Sequence, residues 1–177
     1  VDAIKMGTTV ATNALLERKG ERTLLAITGG FADALHIGTQ QRPRLFDLHI
    51  QRPSMLYSDV LEIQERLYAN GEIETALDEN AAYKGLSVAF ANGYTCIAIA
   101  LLHADRYPLH EKKVCEIAKE IGFTQVSASH DVIPLMKLVG RGDTTVADAY
   151  LSPTLKHYVE QVSDNVGNSR VLFMQSN

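Results

Sequence analysis

Cys96-Ile97-Ala98-Ile99-Ala100-Leu101-Leu102 is an uninterrupted apolar run. It is far too short to cross a bilayer and has the length of a strand buried on both faces. Working outward, Asp78 is placed to cap a helix that runs to about Asn92 and closes at Gly93. On the other side, Pro108 opens a helix with Leu109, Val114, Ile117, Ala118 and Ile121 on one broad face and Gly122 as its stop. Residues 125–129 read as a further strand. This alternation predicts a small αβαβ unit and an α/β fold with an at least partly parallel sheet.

Toward the N-terminus, residues 1–6 read as a strand, and Gly7-Thr8-Thr9 opens a helix that ends near Gly20. Thr23–Thr28 is a buried strand broken by Gly29-Gly30, and residues 31–35 form a short helix. Residues 36–58 have no clean period and carry Pro43, Pro53 and several arginines. Residues 60–67 resemble a strand with one wet face. Asn70-Gly71 marks a turn whose flanks are too uneven to define a hairpin.

Toward the C-terminus, residues 135–139 read as a weak strand. Residues 140–145 read as a glycine-bearing loop into a helix that reaches about Asn165, kinked or broken at Pro153. Residues 170–175 read as the last strand. The tetrads Thr8-Thr9-Val10-Ala11 and Thr144-Thr145-Val146-Ala147 are identical, and each is read as opening a helix. Chance or a duplicated fold would produce such a match.

The 177 residues are 46% hydrophobic and 21% charged, the balance of a globular protein with a core, and the net charge is −4. That charge, without a basic block, argues against a dedicated nucleic-acid binder. No run suits a membrane span. Two cysteines without a motif fit buried thiols in a reducing cytoplasm better than a disulfide framework. The chain begins at Val1 and stops after an apolar run, which reads as a fragment of a longer protein.

Few stretches carry chemistry. The glycine- and threonine-bearing helix starts at 7–9 and 140–145 could seat an anion such as phosphate, because helix N-termini offer free N–H groups. Plain capping by Thr8 or Asp143 would use the same residues. Arg42, Arg44, Asp47 and Arg52 cluster in the irregular stretch. An arginine there could grip a carboxylate, or the cluster could be a solvated loop. His110-Glu111 suits a helix start but lacks partners at metal-ligand spacing. A Walker A loop, a full dinucleotide fingerprint, a nucleophile elbow and a CxxC pair are all missing.

The stretch from Gly7 to Gly20, GTTVATNALLERKG, closely resembles a segment of the 5-oxoprolinase / hydantoinase A family. The resemblance continues through Thr28-Gly29-Gly30-Phe31-Ala32-Asp33 and His36-Ile37-Gly38. Arg44-Leu45-Phe46-Asp47-Leu48 looks like the oxoprolinase branch. Leu101-Leu102-His103, Pro108-Leu109-His110-Glu111, Arg141-Gly142-Asp143-Thr144-Thr145, Asp148-Ala149-Tyr150-Leu151 and Met174-Gln175-Ser176-Asn177 fit the same family in order.

That resemblance implies part of an actin-like (ribonuclease H-like) ATPase fold, in which ATP with Mg²⁺ drives opening of a lactam ring. For 5-oxoprolinase the products are glutamate, ADP and phosphate. Thr8, Thr9 and Asn13 would line one side of the ATP cleft, and Arg141, Thr144 and Thr145 the other. Arg44 would hold the substrate carboxylate. Residues 1–58 would belong to the first half of the fold, 59–134 to a small α/β unit and 135–177 to the second half. The family's glycine-rich phosphate segments do not appear in full, so the chain by itself is expected not to turn over ATP. Its expected partners are a small cyclic amide and the rest of the parent chain or a partner subunit, in an oligomer. An N-methylhydantoinase, a related ATP-dependent carboxylase subunit and a non-catalytic docking module are the alternatives.

Overall fold

The computed structural model describes residues 3–7, 9–39, 54–166 and 170–174. Fourteen elements follow in order: β1 (Ala3–Gly7), α1 (Val10–Leu16), β2 (Thr23–Thr28), α2 (Ala34–Ile37), β3 (Tyr57–Ile63), β4 (Arg66–Leu67), β5 (Ile73–Thr75), α3 (Glu79–Ala91), β6 (Cys96–Ala100), α4 (Leu109–Ile121), β7 (Gln125–Ala128), α5 (Ser129–Val132), α6 (Leu138–Val166) and β8 (Arg170–Met174).

A four-stranded sheet in the order β3-β2-β6-β7 is the centre. All three of its pairings are parallel. Successive strand residues point to opposite faces, which explains the apolar run. Ile97 and Ile99 join Leu24, Ala26, Leu86, Val114 and Ala118 on the face covered by α3 and α4. Ala98 and Ala100 join Leu25, Ile27, Leu35, Val146 and Ala149 on the face covered by α2 and α6. Every residue of β6 is buried, and each fully buried Leu or Ile contributes ~2 kcal/mol. The small side chains of Ala98 and Ala100 let the long α6 lie close to the sheet.

The expected αβαβ unit is present as α3-β6-α4-β7. Asp78 caps α3, its side chain accepting from Ala81 N–H at 2.9 Å. Gly122 ends α4 with φ 114°, a backbone that favours glycine. Asn70-Gly71 does turn a hairpin, the antiparallel β4–β5 pair, with Tyr68 N–H bonded to Glu72 O. The two cysteines are free and buried. Strands from both sides of residue 58 build the central sheet, and α6 packs against β6 and β7.

The C-terminal third corrects the local reading. Residues 138–145 are neither strand nor loop but the first turns of α6. Glycine is a poor helix former, by ~1 kcal/mol per residue, so Gly140 and Gly142 signal a break. Tertiary packing overrides them. Leu138, Val146 and Ala149 seat on the sheet, and a Cβ on Gly142 would come within 2.9 Å of Leu35 Cδ1. The helix also runs unbroken through Pro153. The two identical tetrads are therefore not equivalent, since Thr9 precedes α1 whereas Thr144 and Thr145 lie inside α6. A separate parallel pair joins β1 to β8, Ala3 opposite Arg170 through Gly7 opposite Met174. Among the described residues, no helix is long and apolar enough to cross a membrane.

Candidate functional site

From β2 the chain goes to β3 on one side of the sheet, then returns past β2 to β6 and β7 on the other. In open α/β sheets, ligands bind at such a switch, outside the carboxyl ends of the two central strands. Here those ends are Thr28-Gly29-Gly30 after β2 and Leu101-Leu102-His103 after β6.

The β2 side is clamped from β3 and β4. Gly30 (φ 84°) gives its N–H to Glu62 Oε1 at 2.7 Å. Arg66 donates to Gly29 O at 3.2 Å and stacks over the Phe31 ring at 4.9 Å. Behind them lies a buried relay. Leu102 N–H donates to Thr28 Oγ1 at 2.8 Å, and Thr28 Oγ1 donates to Glu65 Oε1. Glu65 Oε2 lies 2.7 Å from His110 Nδ1.

The β6 side is held by a second network. Glu111, at 0% exposure, accepts from Leu101 N–H (2.8 Å), Ser129 Oγ (2.9 Å) and His130 N–H (2.9 Å), with His130 Nδ1 at 2.7 Å. Arg141, also at 0% exposure, donates through Nε to Ser129 Oγ (2.8 Å). Its Nη1 donates to Leu135 O (2.8 Å) and Asp105 Oδ1 (3.2 Å), and its Nη2 to Leu101 O. Burial pulls the guanidinium below its ordinary pKa, while Glu111 and Asp105 oppose the shift. Buried charges persist when they are paired and hydrogen-bonded, and these are. Among the described residues, no buried side-chain N or O lacks a partner.

The candidate residues fall into distinct places. Thr9 is the residue before α1; it is exposed and makes no side-chain capping bond. Asn13 is exposed one turn later, its Nδ2 3.5 Å from Thr9 Oγ1. Thr144 is exposed on α6, and its hydroxyl donates to Gly140 O at 3.0 Å. Thr145, at 0% exposure, donates to Arg141 O at 2.7 Å. Thr8 and Arg44 lie outside the described residues. Helices α1 and α6 do pack together. The C-terminal end of α1, Asp143 and Val146 of α6 and residues 54–57 line an open cleft of 510 Å³. Burial raises the Asp143 carboxyl above its ordinary pKa.

Glu65, Thr28, Ser129 and Asp105 were not legible as site residues. Their partners lie 12 to 74 positions away in the chain, in no local spacing. One signal was available for Glu111, a carboxylate beside the apolar face of α4.

The chain matches the family model described as the hydantoinase/oxoprolinase N-terminal region over residues 1–122. It is 43% identical to 5-oxoprolinase 1 of Arabidopsis thaliana over 98% of this chain and 16% of that protein. It is 38% identical to a 5-oxoprolinase of Dictyostelium discoideum over 99% of this chain and 16% of that one. The ATP-dependent caprolactamase of Pseudomonas jessenii superposes with a TM-score of 0.87 at 28% identity, covering 98% of this chain and 26% of that structure. The chain thus spans about one sixth of the length of these curated relatives. By the extent of the family match, this chain belongs to the hydantoinase/oxoprolinase family.

Proposed function

We propose that the parent protein is an ATP-dependent cyclic-amide hydrolase that opens 5-oxo-L-proline to glutamate, and that this chain forms part of its actin-like nucleotide-binding fold. The observation that carries this reading is the 43% identity, over nearly the whole chain, to a protein named 5-oxoprolinase. The likeness to an ATP-dependent caprolactamase supports it, since that name also describes a lactam.

ATP, when bound, would supply the phosphoryl group that activates the amide oxygen and makes the unreactive lactam an electrophile for water. This chain's residues then bind and orient. Thr9 and Asn13 suit the phosphate side, because both are exposed and the Thr9 hydroxyl is not spent on a cap. Thr8 joins them by sequence position. Thr144 is the exposed member of the second set. Arg141 and Thr145 act from behind the surface, Arg141 by holding the Leu101–Asp105 turn. Arg44 is assigned the substrate carboxylate on its residue type. Mg²⁺, when bound with ATP, neutralises phosphate charge. Among the described residues, no group of three or more His, Cys, Asp or Glu is placed to hold a metal. The partner of this chain is the rest of the parent protein, in an oligomeric enzyme of the cytoplasm.

The test is product analysis of the full-length protein. With ATP and 5-oxo-L-proline, glutamate and ADP should accumulate together. ATP turnover stimulated by an N-methylhydantoin or a ketone, but not by 5-oxo-L-proline, would transfer the reading to another branch of the family.

A further inference from the structure

Among the described residues, two that are not glycine have a left-handed backbone, Arg18 (φ 55°) and His103 (φ 60°). Arg18 has an ordinary reason. It follows α1, and Arg18 and Lys19 N–H return to Leu15 O (3.3 Å) and Ala14 O (2.9 Å), a helix stop of the kind that uses this conformation. His103 ends no helix. It lies in the turn after β6, where its carbonyl accepts from Arg106 N–H (3.1 Å) and Tyr107 N–H (2.9 Å).

A left-handed non-glycine residue persists where its surroundings over-determine it, and such positions gather at ligand-contacting sites. The surroundings here are explicit. Glu111 holds Leu101 N–H, Arg141 holds Leu101 O and the Asp105 carboxylate, and Thr28 holds Leu102 N–H. Buried side chains from α4, α6 and β2 thus fix both flanks of one half-buried histidine. His110 and His130 turn Nδ1 to Glu65 and Glu111. The His103 imidazole has no hydrogen-bond partner among the described residues. A turn that only reversed the chain would be served better by glycine.

We propose that His103 contacts the small cyclic-amide substrate at the carboxyl ends of β2 and β6, and that Glu111, Arg141 and Thr28 are positioning residues that present it. This rests on the lactam-opening reading above. A neutral imidazole carries one donor and one acceptor, which complement the N–H and C=O of a lactam. Phosphates call for cationic or clustered N–H donors. The charges on and beneath this turn, the carboxylates of Asp105 and Glu111 and the guanidiniums of Arg106 and Arg141, balance, so the turn offers no excess of positive charge to a polyphosphate.

The experiment uses the full-length enzyme with His103→Gly and His103→Asn. Glycine keeps the backbone and removes the imidazole. Asparagine tolerates the backbone and keeps a donor and an acceptor. His103→Gly should unfold at or above the wild-type temperature, with the KM for 5-oxo-L-proline raised about tenfold, as for loss of one substrate hydrogen bond, and the KM for ATP unchanged. His103→Asn should recover part of the loss. A lactam KM in His103→Gly equal to wild type, an equal rise in the ATP KM, or a lowered unfolding temperature overturns the assignment. Wild-type enzyme that turns over no lactam with ATP defeats the lactam-opening reading and this inference with it. Normal lactam turnover by both wild type and His103→Gly defeats only this inference.

Discussion

Glu111 and Arg141, neither with any exposed surface, are joined through one hydroxyl: Ser129 Oγ accepts from Arg141 Nε at 2.8 Å and donates to Glu111 Oε2 at 2.9 Å. The pair ties α4 to α6 across the end of the sheet. Each partner also grips Leu101, Glu111 by its N–H and Arg141 by its O. One strand end is therefore held by two charges of opposite sign.

Removing Arg141 leaves the Asp105 carboxylate without its ion-pair partner and Leu101 O and Leu135 O without the guanidinium donor. Arg141→Met should cost ~3–5 kcal/mol in urea unfolding. The double change Arg141→Met with Glu111→Gln should cost less than the sum of the single changes, because the two sites are coupled. Additive costs would show that the pair does not act as a unit.

Gly20 meets α6 at close range. A Cβ built there would stand 2.2 Å from the Tyr150 ring, and Glu21 N–H donates to Tyr150 O at 3.0 Å. Gly20→Ala should cost ~1–3 kcal/mol, the usual range for overpacking. Tyr150→Leu in the same background should restore part of it. Thermal unfolding of both variants reads this out.

Burial, followed by the charge of Glu111, pushes the Cys115 thiol up to about 12 from an ordinary value of 9.0. Between these values the folded state holds a proton that the unfolded chain has lost. The stabilisation is complete below the ordinary pKa and is lost as pH rises through the folded one, with a slope of at most ~1.4 kcal/mol per pH unit. Cys115→Ala should lose less stability than wild type over that alkaline window. A thiol reagent at neutral pH should label Cys115 only on unfolding.

In the parent enzyme, Thr9→Ala and Asn13→Ala should raise the KM for ATP, with little change in unfolding temperature, because both side chains are exposed. Arg44→Ala should raise the KM for 5-oxo-L-proline instead, by about tenfold or more for a lost charged contact. An unchanged substrate KM removes Arg44 from the site.

The sequence alone determined the elements whose signals are local. The cap at Asp78, the stop at Gly122 and the apolar run from Cys96 located α3, α4 and β6, because period and capping act within a few residues. Motif order along the chain was also sufficient to identify the family. Tertiary structure alone decided the start of α6, where Gly140 and Gly142 argue locally for a loop. There, the packing of Leu138, Val146 and Ala149 on the sheet, with the Arg141 hydrogen bonds, outweighs a propensity cost of ~1 kcal/mol per glycine. It alone set the strand order that places β6 beside β2. It also turned Arg141 inward, where it supports the Leu101–Asp105 turn. The physical reason is one of distance: a buried charge is placed by partners such as Leu101, Asp105 and Ser129, which no local spacing connects to it.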